Sequence, residues 1–265
     1  MNKVFKERVF KKKAFIAFLT AGDPTPEATV EFVLAMEQAG ADLIEIGIPF
    51  SDPVAEGPVI QAADLRALSG GMTTDKVFDI VAEIRKASQV PLVFMTYLNP
   101  VFYYGYDRFF QRCQALSVSG IIIPDAPYEE HFEISDVANR YDVDVISMLA
   151  PTSEDRVKTI AKNAEGFLYL VSSMGVTGVR SEITTDLKSM VDAVRQVSDV
   201  PVAVGFGIST PQQACDMAAV SDGAIVGSAI VRLIAEHGSQ ATPHICDYVK
   251  SMKEGVNRAQ AQAVR

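Results

Sequence analysis

The stretch DLIEIGIPFSDPVAEGPVIQAADLRALSGG, residues 42–71, holds one complete structural unit. Residues 42–49 are an apolar run of strand length, rich in Ile and Leu. Residues 57–71 open on Gly57-Pro58 and stop at Gly70-Gly71, which is the punctuation of a helix. A Pro-rich loop carrying Asp52 and Glu56 joins the two. The same grammar recurs along the chain, with apolar runs at 15–22, 91–97, 120–126, 144–150, 166–173, 200–208 and 223–228. Near-continuous apolar runs suit strands covered on both faces, as in a parallel sheet. The segments between them carry helix signals: Thr25-Pro26 with Gly40 beyond, and Thr210-Pro211. Eight strand–helix alternations without a Pro/Ser-rich linker predict one α/β domain over residues 1–265. That domain is a (β/α)8 TIM barrel, led by an extra N-terminal helix around KERVFKKK (6–13). A doubly wound open sheet fits less well, because LTAGDP (19–24) lacks a Gly-rich dinucleotide turn.

The bulk numbers narrow the function. A net charge of −9 argues against a nucleic-acid binder. Cys113, Cys215 and Cys246 lie far apart, outside any metal-ligand spacing, and read as free thiols of a reducing cytosol. No apolar run reaches membrane-spanning length and no h-region precedes a cleavage site, so the expectation is a cytoplasmic protein. His131, His237 and His244 are scattered and read as surface residues rather than metal ligands.

Barrel chemistry sits where strands end, often with a phosphate held after the seventh and eighth strands. VGFGIST (204–210) and IVGSAIV (225–231) place Gly207, Gly227 and Ser228 there, and SSMGVTGVRSE (172–182) adds Gly175 and Gly178. Bare backbone N–H groups at helix starts favour an anion, and no GxxxxGKS motif occurs, so a small phosphorylated metabolite is expected. Glu45 lies inside the second strand between Ile44 and Ile46. Alternate strand residues face the barrel interior, so Glu45 points inward when its neighbours pack outward. A buried carboxyl without a basic partner has a raised pKa and suits acid/base catalysis near neutrality. Glu56 or Asp52, overhanging from the next loop, supplies a second acid.

Together LIEIGIPFSDPVAEGPVIQAADLRAL, FLTAGDP, GVTG, GFGI and IVGSAIV resemble the α subunits of tryptophan synthase, and the resemblance runs from the first strand to the last helix. It implies retro-aldol cleavage of indole-3-glycerol phosphate to indole and glyceraldehyde 3-phosphate, without a cofactor or metal. By position it makes Glu45 the strand-borne acid/base and Glu56 the acceptor for the indole N–H. The family motif there is A-D-G-P, whereas this chain reads AEGP, one methylene longer. The resemblance assigns phosphate contacts to Gly178, Gly207, Gly227 and Ser228. It assigns the indole pocket to Phe18, Tyr97, Leu149, Tyr169 and Phe206, with Met95 as a lesser candidate. Asp52 and Thr177 belong to loops that close together. The segment from Asn99 onward, NPVFYYGYDRF (99–109), is expected as an aromatic loop that meets a pyridoxal-phosphate-dependent β subunit in an α2β2 heterotetramer.

Rival readings remain at this level. A sugar-phosphate epimerase would show histidines at strand ends, and the related synthase would show lysines on the strands; both are missing. A stand-alone lyase, or a phosphate-binding subunit that has lost activity, stays compatible with the residues.

Overall fold

Each apolar run becomes a parallel strand, and the eight strands close on themselves in chain order, with β8 pairing back to β1. The structure, a computed structural model, describes residues 3–172, 180–205 and 207–263. The first half runs β1 (Ala14–Thr20), α1 (Pro26–Gln38), β2 (Leu43–Gly47), α2 (Pro58–Ser69), α3 (Thr74–Arg85) and β3 (Leu92–Met95). Next come α4 (Leu98–Tyr104), α5 (Tyr106–Ala115), β4 (Val118–Ile122), α6 (His131–Ala138) and β5 (Asp144–Leu149). The second half continues with α7 (Glu154–Lys162), β6 (Leu168–Val171), α8 (Arg180–Arg195) and β7 (Val202–Gly205). It ends with α9 (Pro211–Val220), β8 (Gly223–Val226), α10 (Ser228–His237) and α11 (Thr242–Ala263). Among the described residues, no helix is long and apolar enough to cross a membrane.

The pleat sorts side chains into two layers. Phe15, Ala17, Leu19, Ile44, Ile46, Leu92 and Phe94 face the helices, in the larger core. Ile16, Phe18, Leu43, Val93, Ile146, Tyr169 and Ile225 fill the barrel interior. Residues of the two layers alternate along β1, β2 and β3, as a closed sheet requires. The leading helical turn, Phe5–Val9, buries Phe5 and Val9 across the N-terminal end of the barrel. Phe5 and Phe10 both pack on Phe167, at ring-centroid distances of 5.6 and 5.5 Å.

Three acids tie that N-terminal end together by accepting from an amide at the start of a neighbouring strand. Asp42 accepts from Phe15 N (2.6 Å) and from Lys253 Nζ (2.5 Å). Glu165 accepts from Val145 N (3.2 Å) and from Asn139 (2.8 Å). Asp222 accepts from Val202 N (3.0 Å) and from Arg195 (3.2 Å). Helix starts follow the punctuation: the Thr25 side chain accepts from Ala28 N, and Thr210 forms a reciprocal capping box with Gln213.

Several expectations change. The fourth strand begins at Val118 rather than 120, because Ser119 and Gly120 interrupt its apolar character while the strand continues through them, with a shift of register against β3 at that point. NPVFYYGYDRF is not a loop: α4 and α5 occupy it, broken at Gly105, whose φ of 91° ends the first helix. Pro100 falls in the first turn of α4, where a missing N–H is harmless. His131 is buried rather than on the surface, with Nε2 3.2 Å from the Val145 carbonyl. His237 and His244 are exposed and stack on each other at 3.7 Å.

Candidate active site

The C-terminal mouth of the barrel holds a cleft of about 220 Å³ lined from β1, β2, β3, β6 and β8 and from the turns that follow β2, β7 and β8. Its floor is Phe18, Glu45, Met95, Tyr169 and Ile225. Its walls are Ala55, Glu56 and Ile60 on one side and Gly207, Gly227, Ser228 and Arg232 on another. Register explains the floor, since Phe18 pairs with Glu45 across β1–β2 and Glu45 with Val93 across β2–β3. Two close approaches need glycine. A Cβ on Gly205 would lie 2.4 Å from the Tyr169 hydroxyl oxygen, and one on Gly47 would lie 2.8 Å from the Phe18 ring.

Glu45 is 1% exposed and its Oε2 has no hydrogen-bond partner. Among the described residues, no lysine, arginine or histidine pairs with it. Burial, followed by the charge of Glu56, pushes its pKa up to about 8. The carboxyl is therefore a proton donor at neutral pH. Tyr169, on the same floor, is held well above the usual phenol range by burial and then by Glu45.

Glu56 is not the solvated loop acid that its Pro- and Gly-rich surroundings suggest. It is half-buried, its Oε2 is enclosed without a partner, and burial raises its pKa. Two side chains reach it, Asp64 from α2 and Tyr97 from the end of β3, and both act to lower that pKa. The Tyr97 hydroxyl accepts from Ala55 N (3.0 Å), which leaves its own proton to face Glu56. Burial raises the Tyr97 pKa to about 12, so it stays a donor. Tyr97 thus braces the Glu56 turn from behind, its ring tilted against Phe50 at 5.4 Å, rather than lining the cleft.

The opposite wall suits an anion. Gly207 turns with φ +75°, and Gly227 precedes α10, whose first residue is Ser228. The N–H groups of Ser228 and Ala229 have no acceptor within their own helix, and the helix dipole adds positive potential there. Arg232, one turn along α10, adds a full charge to the same wall. Nothing in the sequence marks Arg232, because an arginine in an amphipathic helix reads as solvated surface.

Strand β5 departs from expectation by one residue. Leu149 lies in the helix-facing layer, and Met148 packs against the interior, beside Tyr169 in the β5–β6 register. A one-residue slip exchanges the faces of a strand, so Met148 rather than Leu149 faces the barrel interior. Asp52 is exposed, bonded by Ser51 Oγ at 2.5 Å, and borders a separate depression with Gln61 and Leu65. Asn99 is exposed on α4, where Phe102 and Tyr103 are 68% and 92% exposed. Tyr104 instead packs on Phe78 and Phe109 and donates to Asp75 at 2.6 Å. Gly178, Thr177 and Phe206 lie outside the described residues. Among the described residues, no three His, Cys, Asp or Glu side chains converge as a metal site.

Residues 5–260 match the family model for the tryptophan synthase alpha chain. The tryptophan synthase alpha chain of Lacticaseibacillus casei is 51% identical over 258 residues, covering 97% of both chains. The crystal structure of the alpha subunit from Legionella pneumophila str. Paris superposes with a TM-score of 0.87 at 36% identity, covering 97% of this chain and 99% of that one. A chain from the Pyrococcus furiosus tryptophan synthase α2β2 complex, solved to explain the mutual activation of that complex, superposes with a TM-score of 0.82 at 34% identity. That match covers 93% of this chain and 100% of the other.

Proposed function

The chain belongs to the tryptophan synthase alpha chain family, whose reaction is the cleavage of indole-3-glycerol phosphate to indole and glyceraldehyde 3-phosphate, and we propose that Glu45 and Glu56 carry that reaction here. The bond to be broken joins indole C3 to the carbon bearing the first side-chain hydroxyl. Glu45, protonated at neutral pH, gives its proton to C3, which turns the ring into an electron sink. The resulting carboxylate then takes the hydroxyl proton as the carbon–carbon bond breaks. The aldehyde leaves, and Glu45 ends the cycle protonated, so the step balances through proton transfers alone.

While C3 takes the proton, positive charge develops at the ring nitrogen. Glu56 accepts the ring N–H and stabilises that charge, as a fixed acceptor aimed at the developing charge should. The phosphate binds between Gly207, Gly227 and Ser228, with Gly178 as a further contact and Arg232 as the counter-charge. The ring lies between Phe18, Tyr169 and Met95, and the family resemblance adds Phe206 to that pocket. The carrying observation is Glu45 Oε2, a buried carboxyl oxygen without a partner, on a side chain that lines the cleft together with a second acid.

The whole of residues 1–265 acts as one domain in the cytoplasm, together with a β subunit in an α2β2 assembly. Exposed Phe102 and Tyr103 on α4 support that surface for the partner, with Asn99 at its edge. The loops bearing Asp52 and Thr177 close the mouth when substrate is bound. The test is indole release from indole-3-glycerol phosphate, with and without a tryptophan synthase β subunit. Slow release that the β subunit accelerates supports the reading. Absence of release in both conditions contradicts it.

A further inference from the structure

Asp64 is 4% exposed on the inner side of α2, eight residues beyond Glu56, where an acid has no solvent to hydrate it. Thr20, the last residue of β1, bonds its Oδ1 at 3.3 Å, and the Phe50 N–H donates to the same carboxyl. The same carboxyl meets the side chain of Glu56. Two ionised carboxylates cannot share such a contact, since neither brings a proton and both repel. Among the described residues, no cation pairs with them. Arg66, two residues along α2, is tied to Asp23 by bonds of 2.8 and 2.7 Å. Arg232 stands across the cleft on α10, Glu45 on β2 adds further negative charge when ionised, and Tyr97 at the end of β3 is a neutral donor. Glu56 Oε2 is enclosed and lacks a donor as long as both acids are charged.

We propose that Asp64 is a positioning residue for Glu56, holding the single proton of this acid pair and donating it in a hydrogen bond to the Glu56 carboxylate. The inference rests on the reading of Glu56 as the acceptor of the ring N–H. Donors from Asp64 and Tyr97 then fix the Glu56 carboxylate from behind, keep it ionised, and leave a lone pair aimed into the cleft. Burial and the charge of Glu56 raise the Asp64 pKa to about 8, in keeping with a proton retained at neutrality.

The experiment measures kcat/KM for indole-3-glycerol phosphate cleavage against pH in the parent protein, Asp64→Asn, Asp64→Ala and Glu56→Gln. An asparagine amide donates as the protonated acid does, so Asp64→Asn is expected to stay within about threefold at neutral pH. Asp64→Ala, with the donor gone, is expected to fall about tenfold or more. In the parent, both Glu45 and Asp64 lose protons on the alkaline side, so activity falls steeply there. In Asp64→Asn only Glu45 remains, and the fall becomes shallower. If Asp64→Asn is as impaired as Asp64→Ala, or keeps the parental alkaline slope, Asp64 does not hold the proton. Should Asp64→Ala fail to fold, the slope in Asp64→Asn decides by itself. An undiminished Glu56→Gln would instead overturn the role of Glu56, a failure distinct from any result at Asp64.

Discussion

The two ends of the barrel treat their carboxylates in opposite ways. At the N-terminal end, Asp42, Glu165 and Asp222 each accept a strand amide and a second side-chain donor. At the C-terminal mouth, Glu45 and Glu56 each keep an enclosed oxygen without a partner, and they are the two side chains with that property among the described residues. A buried polar group without a partner destabilises a fold by about 1–3 kcal/mol. The N-terminal end therefore holds acids that build the barrel, and the mouth holds acids that weaken it. The difference separates a structural site from a working one on the same sheet.

The contrast breaks most readily at Glu45. Glu45→Gln keeps the shape and removes the proton, and indole release should drop by about 10²–10⁴-fold, the usual contribution of a positioned acid/base. Glu56→Ala should lower turnover by about 10²-fold, in the range of a lost charge-stabilising contact, while binding of glycerol 3-phosphate changes little. Its measurement is single-turnover indole formation alongside calorimetric binding. At the other end, Asp222→Ala should leave kcat unchanged and destabilise the protein by about 1–3 kcal/mol in urea melts, because Val202 N loses its acceptor. The smallest effect is at Arg232. Arg232→Ala should raise KM by about tenfold or less at low salt, with kcat intact, and the difference should shrink as salt is added.

Much of this contrast is legible in residues 42–71. An acid between Ile44 and Ile46 in a strand-length apolar run states both its burial and its inward direction, and the eight runs state the barrel. What remains hidden depends on spatial neighbours. Asp64 looks like an ordinary polar helix residue until α2 is laid against Thr20 and Glu56. Arg232 looks like any exposed helix arginine until α10 is set at the mouth. Leu149 and Met148 differ by one step of the pleat, which an apolar run buried on both faces cannot display. The N-terminal acids escape notice for a similar reason, since Asp42 and Asp222 seem to be turn residues until their strand amides are found.

The mouth's defining property is a proton stored at an energetic cost, and the sign of that cost is fixed. Glu45 has a pKa of about 8 in the fold against an ordinary value of 4.5, so the native state binds more protons than the unfolded chain between those values. Its contribution to stability is intact below about pH 4.5 and is lost as pH rises through about 8. Glutamine at this position has no proton to lose. The most direct measurement is therefore urea unfolding of the parent protein and Glu45→Gln at pH 5 and pH 9, with indole release assayed on the same samples. The account predicts that Glu45→Gln gains on the parent by on the order of a few kcal/mol at pH 9 relative to pH 5, while turnover collapses. A variant that keeps its turnover, or that shows the same stability difference from the parent at both pH values, would contradict it.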